Sequence, residues 1–182
     1  MRAGTSPAPT EFARVSSLSL GALNMNYEVE TDEAKVINAL RTLLAEDSDL
    51  LEVDANERAI THRLGMYLQD NFRGWDVDCE YNRDGHKPKT LLLPDKRRSE
   101  NWDDEEWKER SVYPDIIVHQ RGTTENRLVI EVKKSSSKNQ EAIEFDELKV
   151  KAYITELGYR KALLLTIRTN NDMAEPYLMR WF

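Results

Sequence analysis

A second thiol, glycine-rich loops and an excess of positive charge are all missing from this chain, and each absence removes a class of function. The single cysteine, Cys79, excludes an internal disulfide and cannot alone build a thiolate zinc site. A reducing, cytoplasmic setting is therefore expected. The three histidines, His62, His86 and His119, are dispersed and read as surface or packed residues rather than a zinc centre. Neither a glycine-rich phosphate loop nor a serine nucleophile elbow is present. Lysine and arginine number 26 against 33 acidic residues, a net charge of -7. Such a chain is not a bulk polyanion binder, so it would meet nucleic acid through a local basic patch or a metal ion. No apolar run approaches bilayer length, which argues against a membrane partner. The early stretch "VSSLSLGAL" is broken by serines and Gly21 and makes a poor signal peptide.

What is present suits one soluble globular domain. The 182 residues are 40% hydrophobic and 32% charged, enough for a sizeable core. Residues 1–26, rich in Ser, Ala, Gly and Pro, read as a flexible arm, and 27–182 as a single domain. In "TDEAKVINALRTLLAED", Ile37, Leu40 and Leu44 recur at helical spacing, with Val36 and Leu43 widening the stripe. A second helix is expected in "DANERAITHRLGMYLQDNF", with Asp54 as its N-cap and a stripe of Ile60, Leu64, Tyr67 and Leu68. "WDVDCEYNR" alternates like a half-buried strand. Residues 84–111 break the pattern with two prolines, a basic and an acidic cluster, and read as a long insertion.

Two strands follow at about 114–120 and 127–134, joined by the polar turn "RGTTEN". A helix in "EAIEFDELKVKAYITEL" ends at Gly158, and "RKALLLTIR" reads as a strand buried on both faces. The tail "EPYLMRWF" is apolar enough to dock on the body or on a partner. The expected fold class is mixed α/β, with a central mixed sheet flanked by helices.

The chemistry lies in "YPDIIVHQRGTTENRLVIEVKKS", residues 113–135. Alternate residues of a strand share a face, so Glu131 and Lys133 point one way while Ile130 and Val132 point the other. Asp115 takes the face of Ile117 and His119, which leaves His119 open to a minor role beside it. A hairpin would let Asp115 approach Glu131 and Lys133. Buried charges are normally paired or bound to a metal, and two nearby carboxylates repel without a cation. Magnesium suits oxygen ligands and phosphate, and a neighbouring lysine can orient or deprotonate water. The bland alternative is an exposed Glu131–Lys133 salt bridge with Asp115 ending a loop.

Pro114-Asp115, followed sixteen residues later by Glu131-Val132-Lys133, resembles the signature of the PD-(D/E)xK nuclease superfamily, the restriction-endonuclease-like fold. The resemblance spans roughly residues 55–168. It implies a nuclease that hydrolyses phosphodiester bonds, with DNA as the substrate, and Mg2+ (Mn2+ able to substitute) held by Asp115, Glu131 and the backbone carbonyl of Val132. It implies catalytic assistance from Lys133. It also implies a glutamate from the helix before the sheet, matched here by Glu57. Asp54-x-x-Glu57 reads equally as a capping box, which would make Glu57 structural.

The basic side chains available for nucleic acid are Lys87, Lys89, Lys96, Arg97 and Arg98 in the insertion, with Lys134, Lys138, Lys149 and Lys151 after the catalytic strand. Trp102 and Trp107 read as anchors of the insertion, with base stacking as the other use. The competing function is a catalytically silent module of the same fold. It would bind nucleic acid, a second copy or a protein partner through the insertion or the tail.

Overall fold

A computed structural model describes residues 30–95, 106–136, 140–170 and 175–182. The proposed arm, the centre of the insertion and Lys138 lie outside them. Helix α1 (Asp32–Glu46) starts at Thr31, whose hydroxyl accepts a hydrogen bond from the Ala34 amide. Asp32 and Glu33 in its first turn suit the positive end of the helix dipole. Its buried face centres on Val36, Ala39, Leu40 and Leu43, while Ile37 and Leu44 are only half-buried. A short α2 (Ser48–Glu52) leads to α3 (Glu57–Asn71).

The N-cap of α3 is Asn56, which accepts from the Arg58 amide at 2.9 Å, and not Asp54. Asp54 sits before the helix in left-handed backbone, with φ at 50°. Its carboxylate is held by Lys134 at 2.9 Å, so no capping box forms and Glu57 is the first helical residue.

The central sheet has five strands in the order β1 (Asp76–Cys79), β6 (Ile116–His119), β7 (Asn126–Lys134), β8 (Lys161–Ile167) and β9 (Tyr177–Trp181). All neighbours are antiparallel except β7 and β8, whose parallel pairing spans Leu128↔Lys161 to Lys134↔Ile167. That pair is connected through α4 (Gln140–Leu157), as parallel strands need a crossover. Gly158, with φ at 67°, follows the helix end where a left-handed residue is required. The tail docks on its own body, as β9 paired with β8.

Strand alternation divides the core. Ile116, Val118, Leu128, Ile130, Val132, Leu163 and Leu165 pack with α1 and α3. Ile117, Val129 and Ala162 face the other way, toward Val150, Tyr153 and Tyr159. The described part of the insertion is not a bare loop. A small hairpin, β2 (Arg83–Asp84) with β3 (Lys87–Pro88), precedes a ribbon of β4 (Thr90–Pro94) and β5 (Trp107–Ser111). Leu91 and Leu93 of that ribbon are buried in the same layer as α4. Among the described residues no helix is long and apolar enough to cross a membrane.

Candidate functional site

Asp115 stands just before β6, and its Oδ2 accepts a 2.7 Å hydrogen bond from the Val132 amide of β7. The carboxylate is thereby fixed beside the strand that carries Glu131 and Lys133. Its own carbonyl accepts from the Glu80 amide at 3.2 Å, tying the end of β1 to the same point.

Glu131 is only 1% exposed and faces α4, as strand alternation predicts. Lys149 Nζ lies 2.7 Å from its Oε2, and the Tyr153 hydroxyl donates to its Oε1 at 3.0 Å. Lys133 Nζ, on the same face, lies 3.3 Å from Asp146 Oδ2 and 3.9 Å from Glu57 Oε1. Lys149 also lies 3.6 Å from Asp146 Oδ1. Four carboxylates, Glu57, Asp115, Glu131 and Asp146, thus surround two ammonium groups.

Burial, more than the balance of charge, sets the protonation of these carboxylates. Burial pushes the Glu131 carboxyl up to about 7, with Lys149 pulling against it and Asp115 adding to it. Burial likewise raises Asp115 above the usual carboxylate range, although the Val132 amide, Lys149 and Lys133 oppose the change. Glu57 is raised by burial and by Asp115, against the pull of Lys133. Burial alone would lower Lys133, but Asp146, Glu57 and Asp115 outweigh it and hold the ammonium above its ordinary value. The same balance, led by Glu131, raises Lys149. Lys133 is therefore a cation at neutral pH, suited to electrostatic work and not to accepting a proton.

The donor chemistry fits a hard divalent ion. Among the described residues no group of three or more His, Cys, Asp and Glu side chains is placed to hold a metal by itself. Magnesium does not require one, since it keeps several waters and often takes only one or two carboxylates plus phosphate. Asp115 Oδ1 has no hydrogen-bond partner among the described residues, and each oxygen of Glu131, with one contact, retains a lone pair. A bound cation would oppose the burial that raises these acids, as Lys149 already does in part.

The other residues singled out from the sequence fall in different places. Lys134 anchors the turn before α3, donating to the Asp54 and Ala55 carbonyls at 3.2 and 3.1 Å. Lys149, read as a nucleic-acid contact, belongs to the buried cluster. His119 is bound to Asp78 at 2.8 Å, four residues along the chain from Asp115. Lys89 is 2% exposed, with its ammonium 4.9 Å from the centre of the Tyr81 ring, so it does not offer its charge to a ligand. Trp107 is 52% exposed on β5, opposite Pro94 of β4, while Trp102 lies outside the described residues.

Asp146 and Tyr153 are the site residues that sequence reasoning missed. The available signal was their spacing with Lys149 on α4, which puts all three on one helical face. A cleft of about 220 Å³ opens beside Asp115 and is walled by Arg58, Thr61, His62, Cys79 and Glu80. Behind Cys79 the packing is tight, since a Cβ on Gly65 would come within 2.7 Å of its Sγ.

No protein-family model matches this chain, and no curated protein matches it. Among solved structures it is similar to the crystal structure of SSO0001, with 14% sequence identity and a TM-score of 0.35. The alignment covers 82% of this chain and 63% of that one, so the chain spans less than two thirds of that protein's length.

Proposed function

We propose that the protein is a metal-dependent nuclease of PD-(D/E)xK type, with a restriction-endonuclease-like core, hydrolysing phosphodiester bonds of DNA. One observation carries this reading. Asp115 and Glu131, both held by burial above the usual carboxylate pKa, gather with the cationic Lys133 at the junction of β6, β7, α3 and α4. Asp115 and Glu131 would hold the ion with the Val132 carbonyl, while Glu57 faces the Lys133 ammonium and is not placed as a third carboxylate ligand. When bound, such an ion polarises a phosphoryl oxygen and makes its water more acidic.

The chain's own groups divide the remaining work. Lys133 stays protonated, so it can orient the attacking water and stabilise charge that develops on the phosphoryl oxygens. Asp146 and Glu57 hold its ammonium in position from two helices. Lys149 and Tyr153 orient the Glu131 carboxylate from behind. Lys134 fixes the turn that presents Glu57.

A second reading draws on a separate observation. Lys149 and Tyr153 already contact both oxygens of Glu131, as they would in a purely structural buried pair. Under that reading the domain is a silent module that binds nucleic acid or protein. Cleavage of supercoiled plasmid and labelled single-stranded DNA separates the two. The nuclease reading expects cutting with magnesium or manganese, none with chelator, and none from Lys133→Ala. Cutting that survives in Lys133→Ala would refute it. Nucleic-acid or protein binding without metal-dependent cutting would favour the silent module.

A further inference from the structure

We propose that Arg58 grips a substrate phosphate beside Asp115, and that its ion pair with Glu80 is a latch released when it does so. The inference rests on the nuclease reading and adds to it a residue that positions the substrate. Arg58 and Glu80 both line the cleft that opens on Asp115. Arg58 comes from the first turn of α3, and Glu80 follows the end of β1. Their contact, Nε to Oε1 at 2.7 Å, crosses the mouth.

The pair is built to exchange partners. The side chains are 81% and 44% exposed, and an ion pair so open to water holds its partners only weakly. A phosphodiester offers the guanidinium a stronger, forked contact. Glu80 is held at the mouth by more than this pair. Its backbone is left-handed, with φ at 51°, a conformation uncommon for a residue with a side chain. Its amide donates to the Asp115 carbonyl. The residue that bears the proposed metal ligand therefore also places the acid that restrains Arg58.

A second feature points to a ligand in the same cleft. Thr61 is 4% exposed, its hydroxyl has no hydrogen-bond partner among the described residues, and it lines this wall. The lysines that the sequence offered for phosphate contact are less suited. Lys149 and Lys134 are held by Glu131 and Asp54. Arg58 is the exposed cation at the cleft that contains Asp115.

The test is fluorescence anisotropy of the full chain with a labelled single-stranded DNA oligonucleotide, over a salt series, with calcium replacing magnesium to suppress cutting. Arg58→Ala should weaken binding about tenfold and reduce the slope of log affinity against log salt by about one. Glu80→Gln should tighten binding about threefold, because the latch is lost while the grip remains. In the Arg58→Ala background Glu80→Gln should then add nothing; a gain that persists there is only the loss of a negative charge near a polyanion and would overturn the latch. A pair that only stabilises the fold would change affinity in the same direction in both. Unchanged affinity and slope in Arg58→Ala, beside wild-type cleavage that needs Lys133, would overturn this inference alone. A wild-type protein that neither binds nor cuts would overturn the nuclease reading with it.

Discussion

Replacing Glu131 with glutamine should make the metal-free protein lose less stability as pH rises. The wild-type side chain is fully buried against α4, and burial raises its acid from 4.5 to about 7. The folded protein therefore keeps a proton that the unfolded chain gives up near 4.5. Its contribution is fully favourable below that unfolded value and is lost as pH climbs to about 7. A gap of this size corresponds to about 3 kcal/mol. Glutamine does not titrate, so any contact it loses with Lys149 costs the same at every pH. Asp32, Asp47, Asp54 and Asp78 act in the opposite sense, since their lowered values add stability above the unfolded 3.8 and remove it in acid. They are present in both proteins and cancel. Urea melts in chelator at about pH 5 and about pH 8 would measure the effect. Between these two pH values the difference between variant and wild type should move by about 2.5 kcal/mol in favour of glutamine, or about 1.2 M in midpoint for a slope near 2 kcal/mol/M. An unchanged difference would mean that Glu131 is ionised throughout, and the argument for a cation-seeking site would lose its electrostatic basis.

Two further perturbations probe the packing around the site. Lys149→Met should cost about 3–5 kcal/mol at alkaline pH, because it leaves a buried carboxylate with only the Tyr153 hydroxyl, and combining it with Glu131→Gln should restore much of the loss in a double-mutant cycle by chemical denaturation. Gly65→Ala should lower the melting temperature through a clash worth about 1–3 kcal/mol with Cys79 Sγ, and Cys79→Ala in the same chain should relieve it; no relief would place the obstruction in the backbone instead.

Much of this arrangement can be read along the chain. Period-two alternation put Glu131 and Lys133 on one face, and the polar turn after His119 brought Asp115 back beside them. Helical spacing located α1, α3 and α4, and the unbroken run at Lys161–Ile167 marked a strand buried on both faces. Other features escaped that reading. "TLLLP" lacks alternation and Trp107–Ser111 is polar, so the β4–β5 ribbon is visible only once the two segments pair. Asp54 has the chemistry of a cap, but its attraction to Lys134, eighty residues away, leaves the cap to Asn56. Lys89 looks like a solvated charge in sequence and is instead buried over Tyr81.

The sequence by itself determined the kinds of element, their inward faces and the three side chains most worth watching, Asp115, Glu131 and Lys133. Those properties follow from steric repeats of two and 3.6 residues, which any short window contains. Only the tertiary structure decided that Asp146, Lys149 and Tyr153 close around them, that Glu57 faces Lys133 and not a helix cap, and that Arg58 meets Glu80 over the cleft. Those outcomes depend on distances between separate elements and on how far each charge is withdrawn from water. A largely buried lysine on α4 is tolerable because Glu131 stands 2.7 Å away on β7, and nothing local to either residue encodes that distance.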